Sequence, residues 1–446
     1  MASNDRSEVP EVTAARQRWL YLANIRVPSE KAHVFQVFQM VDALSAADLQ
    51  VELIYPRRAN LPGIGDQDPA RLYGLRHSPR TRTVFSLDAV KLVTIDLPFL
   101  NRPPIPSLAF GLQALSFTLA VAGYARRAAV DAVYSRDWPV LAAVAATTSG
   151  RAPRAPLFWE AHDVPQGRVA RALLRRLLPH LRGIVAISAG LRNALIDLGA
   201  SADAVLVAPD AVDVTRFTAA PDRERARAAL QLPPAAPIVV YTGHLYRWKG
   251  AHTLALAARD LPPEAVVCIV GGTPADVVAF RDFLARENLT HVRLPGYVPP
   301  AHVPLWLAAA DVLALPNSGT SAISARYTSP LKLFEYMAAR RPIVASDLPS
   351  LREVLVHERN ALLVPPDRPA ALADGLRAVL STSGLAQRLA EQAGQDVVGR
   401  TWDARAQAII HFAAAHHGAT SPGHSLSTSG MNRPQRDDER MTIIER

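Results

Sequence analysis

The feature that most constrains this chain is a rhythm that occurs twice. Short apolar runs of strand length alternate with segments of helical spacing. In the first series the strand candidates are Trp19–Asn24, Val51–Tyr55, Val90–Leu97, Ala132–Ser135, Pro156–Trp159 and Gly183–Ile187. Between the first two, Lys31–Ala47 carries Val34, Phe35, Val37, Phe38, Met40, Val41 and Leu44, which is helical spacing. In the second series they are Ile238–Thr242, Val266–Val270, Val292–Leu294, Val312–Leu315, Ile343–Ala345 and Ala361–Val364. Strands that are apolar throughout are buried on both faces, as in parallel sheets covered by crossover helices. The prediction is an α/β protein with two Rossmann-like, doubly wound parallel-sheet domains. They face each other across a cleft lined by the carboxyl ends of the strands.

Residues 218–237 interrupt the rhythm with Ala, Pro and Arg and read as a linker containing a short helix. The chain thus divides into a disordered leader (1–17), an N-terminal domain (18–217), the linker, a C-terminal domain (238–400), a helix (401–416) and a disordered tail (417–446), polar from about Ser421.

Composition narrows the function. Hydrophobic residues make up 49% and charged residues 20% of 446, enough apolar material to exclude a wholly disordered chain. The single cysteine, Cys268, excludes an internal disulfide framework and a cysteine-rich zinc module. A net charge of +9 points to acidic partners. The arginines are scattered and no nucleic-acid motif is present, so nucleic acid is not expected. Met1–Gln17 has no apolar core of a signal peptide, which points to the cytoplasm. Pro103–Ala125 is uncharged and long enough to span a bilayer. Its Pro, Ser, Gln and Thr residues and its place between two strand candidates predict a buried crossover helix instead. Arg168–Arg182 reads as a helix with five leucines and five arginines. It fits either a packed helix with a solvated face or peripheral contact with an anionic membrane at the inner face of the plasma membrane.

Four segments could carry chemistry. Ser329-Pro330-Leu331-Lys332-Leu333-Phe334-Glu335 reads as a helix start, with Ser329 as N-cap and Pro330 at the first helical position. The free amides of Leu331, Lys332 and Leu333 and the Lys332 charge would suit a phosphate, and Glu335 a ribose. A well-capped surface helix fits the same spacing. Gly243-His244-Leu245-Tyr246-Arg247-Trp248-Lys249-Gly250 follows a strand and fits either a diphosphate-binding loop or a solvated basic loop. Glu160-Ala161-His162-Asp163 ends another strand, where His162 could act as acid, base or hydrogen-bonding partner, or be structural. The turn from Asn24 to His33 lacks the glycines of a dinucleotide fingerprint. Its Arg26, Lys31 and His33, with Arg136 after another strand, could meet an anionic substrate.

Together these segments resemble the GT-B glycosyltransferases of family 4. The resemblance runs from about Trp19 to His416. It rests on Asn24-Ile25-Arg26 with Glu30-Lys31-Ala32-His33, Ala186-Ile187-Ser188, Pro209-Asp210-Ala211-Val212-Asp213 with Arg216-Phe217, Lys249-Gly250, Gly271-Gly272, Gly296-Tyr297-Val298-Pro299, Ala310-Asp311-Val312-Leu313, Ser329–Ala338 and Pro342-Ile343-Val344-Ala345-Ser346. It implies a retaining transferase that moves a sugar from a nucleoside-diphosphate sugar to a glycan, lipid-linked or small-molecule acceptor. Lys249 and Arg247 would hold the donor diphosphate, with Gly243 and the Ser329–Lys332 helix start around it. Glu335 would hold the ribose, Tyr297 and Val298 would lie beside the nucleobase, and His162 near the transferred sugar. Arg26, Lys31, His33 and Arg136 would face the acceptor. The last helix would cross back to the N-terminal domain. No cofactor is implied and no essential metal is expected. Two positions depart from the family pattern. Tyr327 stands where a glutamate usually precedes Glu335, and His244 replaces the usual arginine. These keep open a non-catalytic sugar-nucleotide-binding or scaffold protein, beside a sugar-nucleotide epimerase of the same fold.

Overall fold

The computed structural model describes residues 16–59, 67–91, 105–147 and 155–417. The leader through residue 15, and the tail from residue 418, lie outside the described residues. Among those described, seven parallel strands build the first sheet: β1 Arg18–Leu22, β2 Gln50–Pro56, β3 Arg80–Val84, β4 Ala132–Ser135, β5 Leu157–Ala161, β6 Leu181–Ala186 and β7 Val205–Val207, in the order β3-β2-β1-β4-β5-β6-β7. Six more build the second: β8 Ile238–Thr242, β9 Val266–Val270, β10 Val292–Gly296, β11 Val312–Leu315, β12 Ile343–Ser346 and β13 Leu362–Val364, in the order β10-β9-β8-β11-β12-β13. Both sheets reverse strand order once, between β1 and β4 and between β8 and β11. A crevice opens at such a switch point because successive crossovers leave on opposite faces.

The apolar runs explain the second sheet directly. All five residues of β8 and all four of β11 are buried, so each strand is covered on both faces. Two strands lack that signal. β3 reads Arg-Thr-Arg-Thr-Val and is mostly exposed; it forms because β2 offers an open edge. β7 is three residues long at the opposite edge. Of the expected strand Val90–Leu97, the two described residues, Val90 and Lys91, belong to a helical turn, Ala89–Lys91, and the remainder lies outside the described residues.

Helices cover both faces of the first sheet. On one face lie α1 (Ala32–Ala46) and, at the far end of the chain, a helix over Trp402–His417. Trp402, Ala406, Ile409 and Ala413 of that helix share a core with Val34, Val37, Phe38 and Val41 of α1. The other face carries α2 (Ile105–Arg127), α3 (Trp138–Ala146) and α4 (Arg168–Leu177) in turn. The helix expected over Arg168–Arg182 stops at Leu177. Leu178–His180 forms a tight turn around Pro179, and β6 begins at Leu181. Nor is α2 the buried helix expected. Phe117 and Val121 are buried in the sheet core, while Leu108, Leu112, Leu115 and Leu119 face solvent.

The connection between the sheets holds α5 (Arg223–Ala229). Its buried Arg227 donates to the carbonyls of Ala309, Pro234 and Ala236 and to the Asp311 carboxylate. In the second unit α6 (Leu331–Ala338) follows β11. The terminal helix is labelled α7 (Trp402–His417) below.

Candidate functional site

The two switch points face each other across a cleft of about 420 Å³. The second sheet supplies one wall. There β8 ends at Thr242, and the chain turns through Arg247–Lys249 into Gly250. Gly250 has φ +75°, and a Cβ there would lie 1.6 Å from the Pro316 carbonyl oxygen. Only glycine lets this turn press against the loop after β11. Lys249 thereby enters the cleft, and burial lowers its ammonium pKa to about 8 although Glu335 opposes the shift.

Lys332 lies deeper. Its Nζ is buried without a hydrogen-bond partner, 3.7 Å above the centre of the Tyr241 ring. Burial, then the neighbouring Lys249 charge, holds it well below the usual lysine range. Two cations confined together with few partners favour an anion between them. Glu335, one turn along α6, lines the same wall, and burial raises its carboxyl despite Arg216, Lys332 and Lys249.

The start of α6 differs from the sequence reading. The N-cap is Pro330, and no side chain caps the helix. Ser329 Oγ accepts the Asp210 amide at 2.9 Å instead. The Leu333 amide bonds the Pro330 carbonyl, so the amides left to meet a ligand are those of Leu331 and Lys332.

The first sheet supplies the opposite wall. His162 follows β5, and its Nε2 lies 2.8 Å from Oε1 of the buried Glu160. That carboxylate is a hub. It accepts from Gln36 Nε2 at 2.6 Å, Tyr134 OH at 2.5 Å, Tyr21 OH at 3.3 Å and Arg405 Nη2 at 3.1 Å. Burial alone would raise the Glu160 carboxyl; Arg405, His162 and Arg136 reverse this and hold it well below the usual range. Burial, and next Arg136, lower the His162 pKa to about 4, so the ring is neutral at pH 7 with Glu160 accepting its N–H. Arg136 donates to Gln36 Oε1 at 2.5 Å and to the His33 carbonyl at 3.2 Å. His33 is itself lowered to about 3 by burial and by Arg136.

The cleft brings together most of the residues named from sequence. Gly243, Lys249, Tyr297, Val298, Ser329, Pro330, Leu331, Lys332 and Glu335 line one side, and His33, Arg136 and His162 the other. Three do not belong. Arg247 is exposed and absent from the lining, because the tight turn that points Lys249 inward leaves it outside. Lys31 is the exposed N-cap residue of α1. Arg26 turns toward Asp88, 4.0 Å away. Gln36 and Asn317, unnamed in the sequence analysis, and Asp210, given no site role there, also line the cleft. Burial raises the Asp210 carboxyl to about 7, and one of its oxygens is unpartnered. Asn317 is fully buried, and neither side-chain polar atom has a partner. Asp210 and Asn317 follow strands, and that position is the signal that could have found them; Gln36 lies one turn inside α1, a polar residue in an apolar helical run.

The two departures also have places. His244 lines the cleft, stacked on Tyr246 with ring centres 5.0 Å apart, and burial, then Lys249, lower it to about 4. It is therefore uncharged at pH 7 where an arginine would be charged. Tyr327 packs against the core of the first unit, and its carbonyl accepts Ser188 Oγ at 3.1 Å. It serves the seam between the two units rather than the cleft.

Residues 34–216 match the family model described as Glycosyltransferase Family 4, and residues 222–396 match that of Glycosyl transferases group 1. The chain belongs to the group 1 glycosyltransferases of family 4. Among relatives of this family member, a D-inositol 3-phosphate glycosyltransferase of Xylanimonas cellulosilytica is 32% identical over 223 residues, 48% of this chain and 51% of that one. An alpha-D-kanosaminyltransferase of Streptomyces kanamyceticus is 27% identical over 161 residues, 35% of this chain and 40% of that one. The chain spans about half the length of the curated relatives it matches. Among solved structures, Anabaena Alr3699/HepE in complex with UDP and glucose has a TM-score of 0.69 at 18% identity, covering 90% of this chain and all of that one. Sucrose-phosphate synthase of Thermosynechococcus elongatus has a TM-score of 0.70 at 20% identity, covering 90% and 99%. These likenesses confirm the fold, the paired Rossmann-like units of the GT-B type.

Proposed function

We propose that this chain is a retaining glycosyltransferase that moves a sugar from a nucleoside-diphosphate sugar to a glycan, lipid-linked or small-molecule acceptor. The observation that carries the reading is the pairing of walls. Lys249, Lys332 and the α6 amides gather positive charge beside Glu335, and the neutral His162 faces them. In the reaction the donor C1–O bond breaks and its electron pair passes to the diphosphate. The acceptor oxygen bonds C1, and its proton passes to the leaving phosphate oxygen. Charge grows on the diphosphate as the bond breaks, so fixed cations stabilise the transition state more than the ground state. Glu335 binds the ribose hydroxyls, Tyr297 and Val298 flank the base, and His33 and Arg136 meet the acceptor.

The names of the relatives, one for D-inositol 3-phosphate and one for a kanosaminyl group, support transfer involving a small polyol phosphate or an amino sugar, and the UDP complex of a fold neighbour supports a uridine-type donor. The cations do the work that a metal would otherwise do, so turnover should withstand a chelator. Peripheral contact with an anionic membrane at the cytoplasmic face belongs to the same reading. A second reading, a sugar-nucleotide-binding protein without turnover, is favoured by Tyr327 lying in the seam and by the uncharged His244. Incubation with UDP-, GDP-, TDP- and ADP-sugars separates the two. Release of one nucleoside diphosphate supports the transferase, and binding without release, with acceptors present, supports the second reading.

A further inference from the structure

Helix α2 turns a continuous apolar face to solvent. Leu108, Leu112, Leu115 and Leu119 follow at steps of four, three and four residues, one stripe along the helix. They are 63%, 53%, 56% and 64% exposed. The patch continues beyond the helix: exposed Leu87 donates its amide to Ser116 Oγ at 2.8 Å, and Phe85 beside it is 74% exposed. A lone surface leucine needs no explanation, but a contiguous apolar stripe marks an interaction surface. The opposite face is committed to the core through Phe117 and Val121, and Gln113 Nε2 bonds Asn24 Oδ1 at 3.0 Å. The helix therefore cannot leave the sheet to cross a bilayer, though it can lie flat upon one.

Charge selects the occupant. Arg126 and Arg127 are exposed in the last turn of α2. Arg80 and Arg82 are exposed on the edge strand β3, with the Arg82 guanidinium 5.1 Å from the Tyr124 ring centre on α2. On the same face of the sheet, α4 exposes Arg175 and Arg176 beside Val169 and Leu173. The acidic neighbour Glu52 is already taken by Arg82 and Tyr124. An apolar stripe with arginines at its margin complements anionic headgroups over acyl chains. Association with a second copy would bring these arginines into a shared interface of like charge.

We infer that the α2 face, with Phe85 and Leu87, docks this protein flat on an anionic lipid bilayer. The inference rests on the peripheral-contact reading above and names its surface. The Gln113–Asn24 contact sets α2 beside the β1–α1 turn, whose Glu30 lines the cleft. A lipid-borne acceptor would thus reach the cleft without leaving the membrane.

The test is flotation of the full chain with phosphatidylcholine vesicles, with and without phosphatidylglycerol, at low and high salt. Wild type should float with the anionic vesicles at low salt. Leu112→Asp with Leu115→Asp, and separately Arg126→Glu with Arg127→Glu, should each cut the bound fraction roughly tenfold. Thermal unfolding and nucleoside-diphosphate binding of both variants should match wild type, which separates docking from folding. Absence of wild-type flotation overturns peripheral contact altogether. Flotation that survives the leucine changes but is lost in Arg175→Glu with Arg176→Glu overturns the α2 surface alone. A concentration-dependent dimer in lipid-free sedimentation, lost with the leucine changes and accompanied by no vesicle binding, gives the face to a second copy instead.

Discussion

Arg405 and Glu160 are 245 residues apart in sequence and meet at 3.1 Å beneath the cleft. The terminal helix α7 thus reaches past the second sheet and secures the histidine of the first. Arg405 also donates to the carbonyls of Ala208 and Pro209, just before Asp210. One guanidinium braces two segments of the cleft wall.

Removing that guanidinium should shift the pH profile. Arg405 disfavours the His162 imidazolium, so its loss should raise the His162 pKa from about 4. A turnover profile that depends on neutral His162 is then lost at higher pH as acidity rises, and the acid limb moves up. Arg405→Met should lower turnover with little change in donor affinity. It leaves Glu160 buried without its strongest partner, at a cost of about 3–5 kcal/mol. Arg405→Lys, which keeps the charge, should restore much of the stability and the acid limb. An unmoved acid limb in both variants would assign Arg405 a purely structural part.

His162→Ala should reduce turnover by about 10²-fold or more, the scale of a positioned acid–base or hydrogen-bonding group. Donor affinity, measured by calorimetry on the nucleoside diphosphate, should change far less. A wild-type turnover number would remove His162 from the reaction.

Burial in the cleft brings the Lys249 ammonium pKa down to about 8. Its charged form is the one that holds an anion. Diphosphate affinity should therefore fall as the pH rises through about 8, where Lys249 loses its charge. Lys249→Ala should weaken binding about 10–100-fold, as expected for loss of a charge-assisted contact of about 1.5–3 kcal/mol, and should flatten that pH dependence. Unchanged binding would displace the donor site from this wall.

Gly250→Ala should destabilise the protein by at least about 2 kcal/mol, because the new Cβ meets a carbonyl and the backbone is left-handed. Chemical denaturation would read the loss. Near-wild-type stability would show that the turn has freedom to move away from Pro316.

The sequence carried the second sheet almost whole, because fully buried strands are written as uninterrupted apolar runs. It carried less at the edges. The Arg-Thr-Arg-Thr-Val of β3 has no apolar pattern, and only the open edge of β2 makes it a strand. At the site, Lys249, Lys332, Glu335 and His162 were legible because each follows a strand or opens a helix. Arg247 lies outside the cleft because adjacent residues in a tight turn point apart. Ser329 does not cap its own helix, because its hydroxyl accepts the Asp210 amide instead. Arg405 gave no local sign, since its role comes from where α7 lands. The exposed face of α2 was equally hidden: small and apolar residues spread around the helix gave no sign of which side the sheet would cover.

The most direct test of the account measures nucleoside-diphosphate release from the UDP-, GDP-, TDP- and ADP-sugar panel, with chelator, for wild type, Lys249→Ala and His162→Ala. The account predicts release from one donor by wild type, unaffected by the chelator. It further predicts weakened donor binding in Lys249→Ala, and binding without comparable release in His162→Ala. Donor binding by wild type with no release, even with lipid-linked and saccharide acceptors supplied, would contradict it.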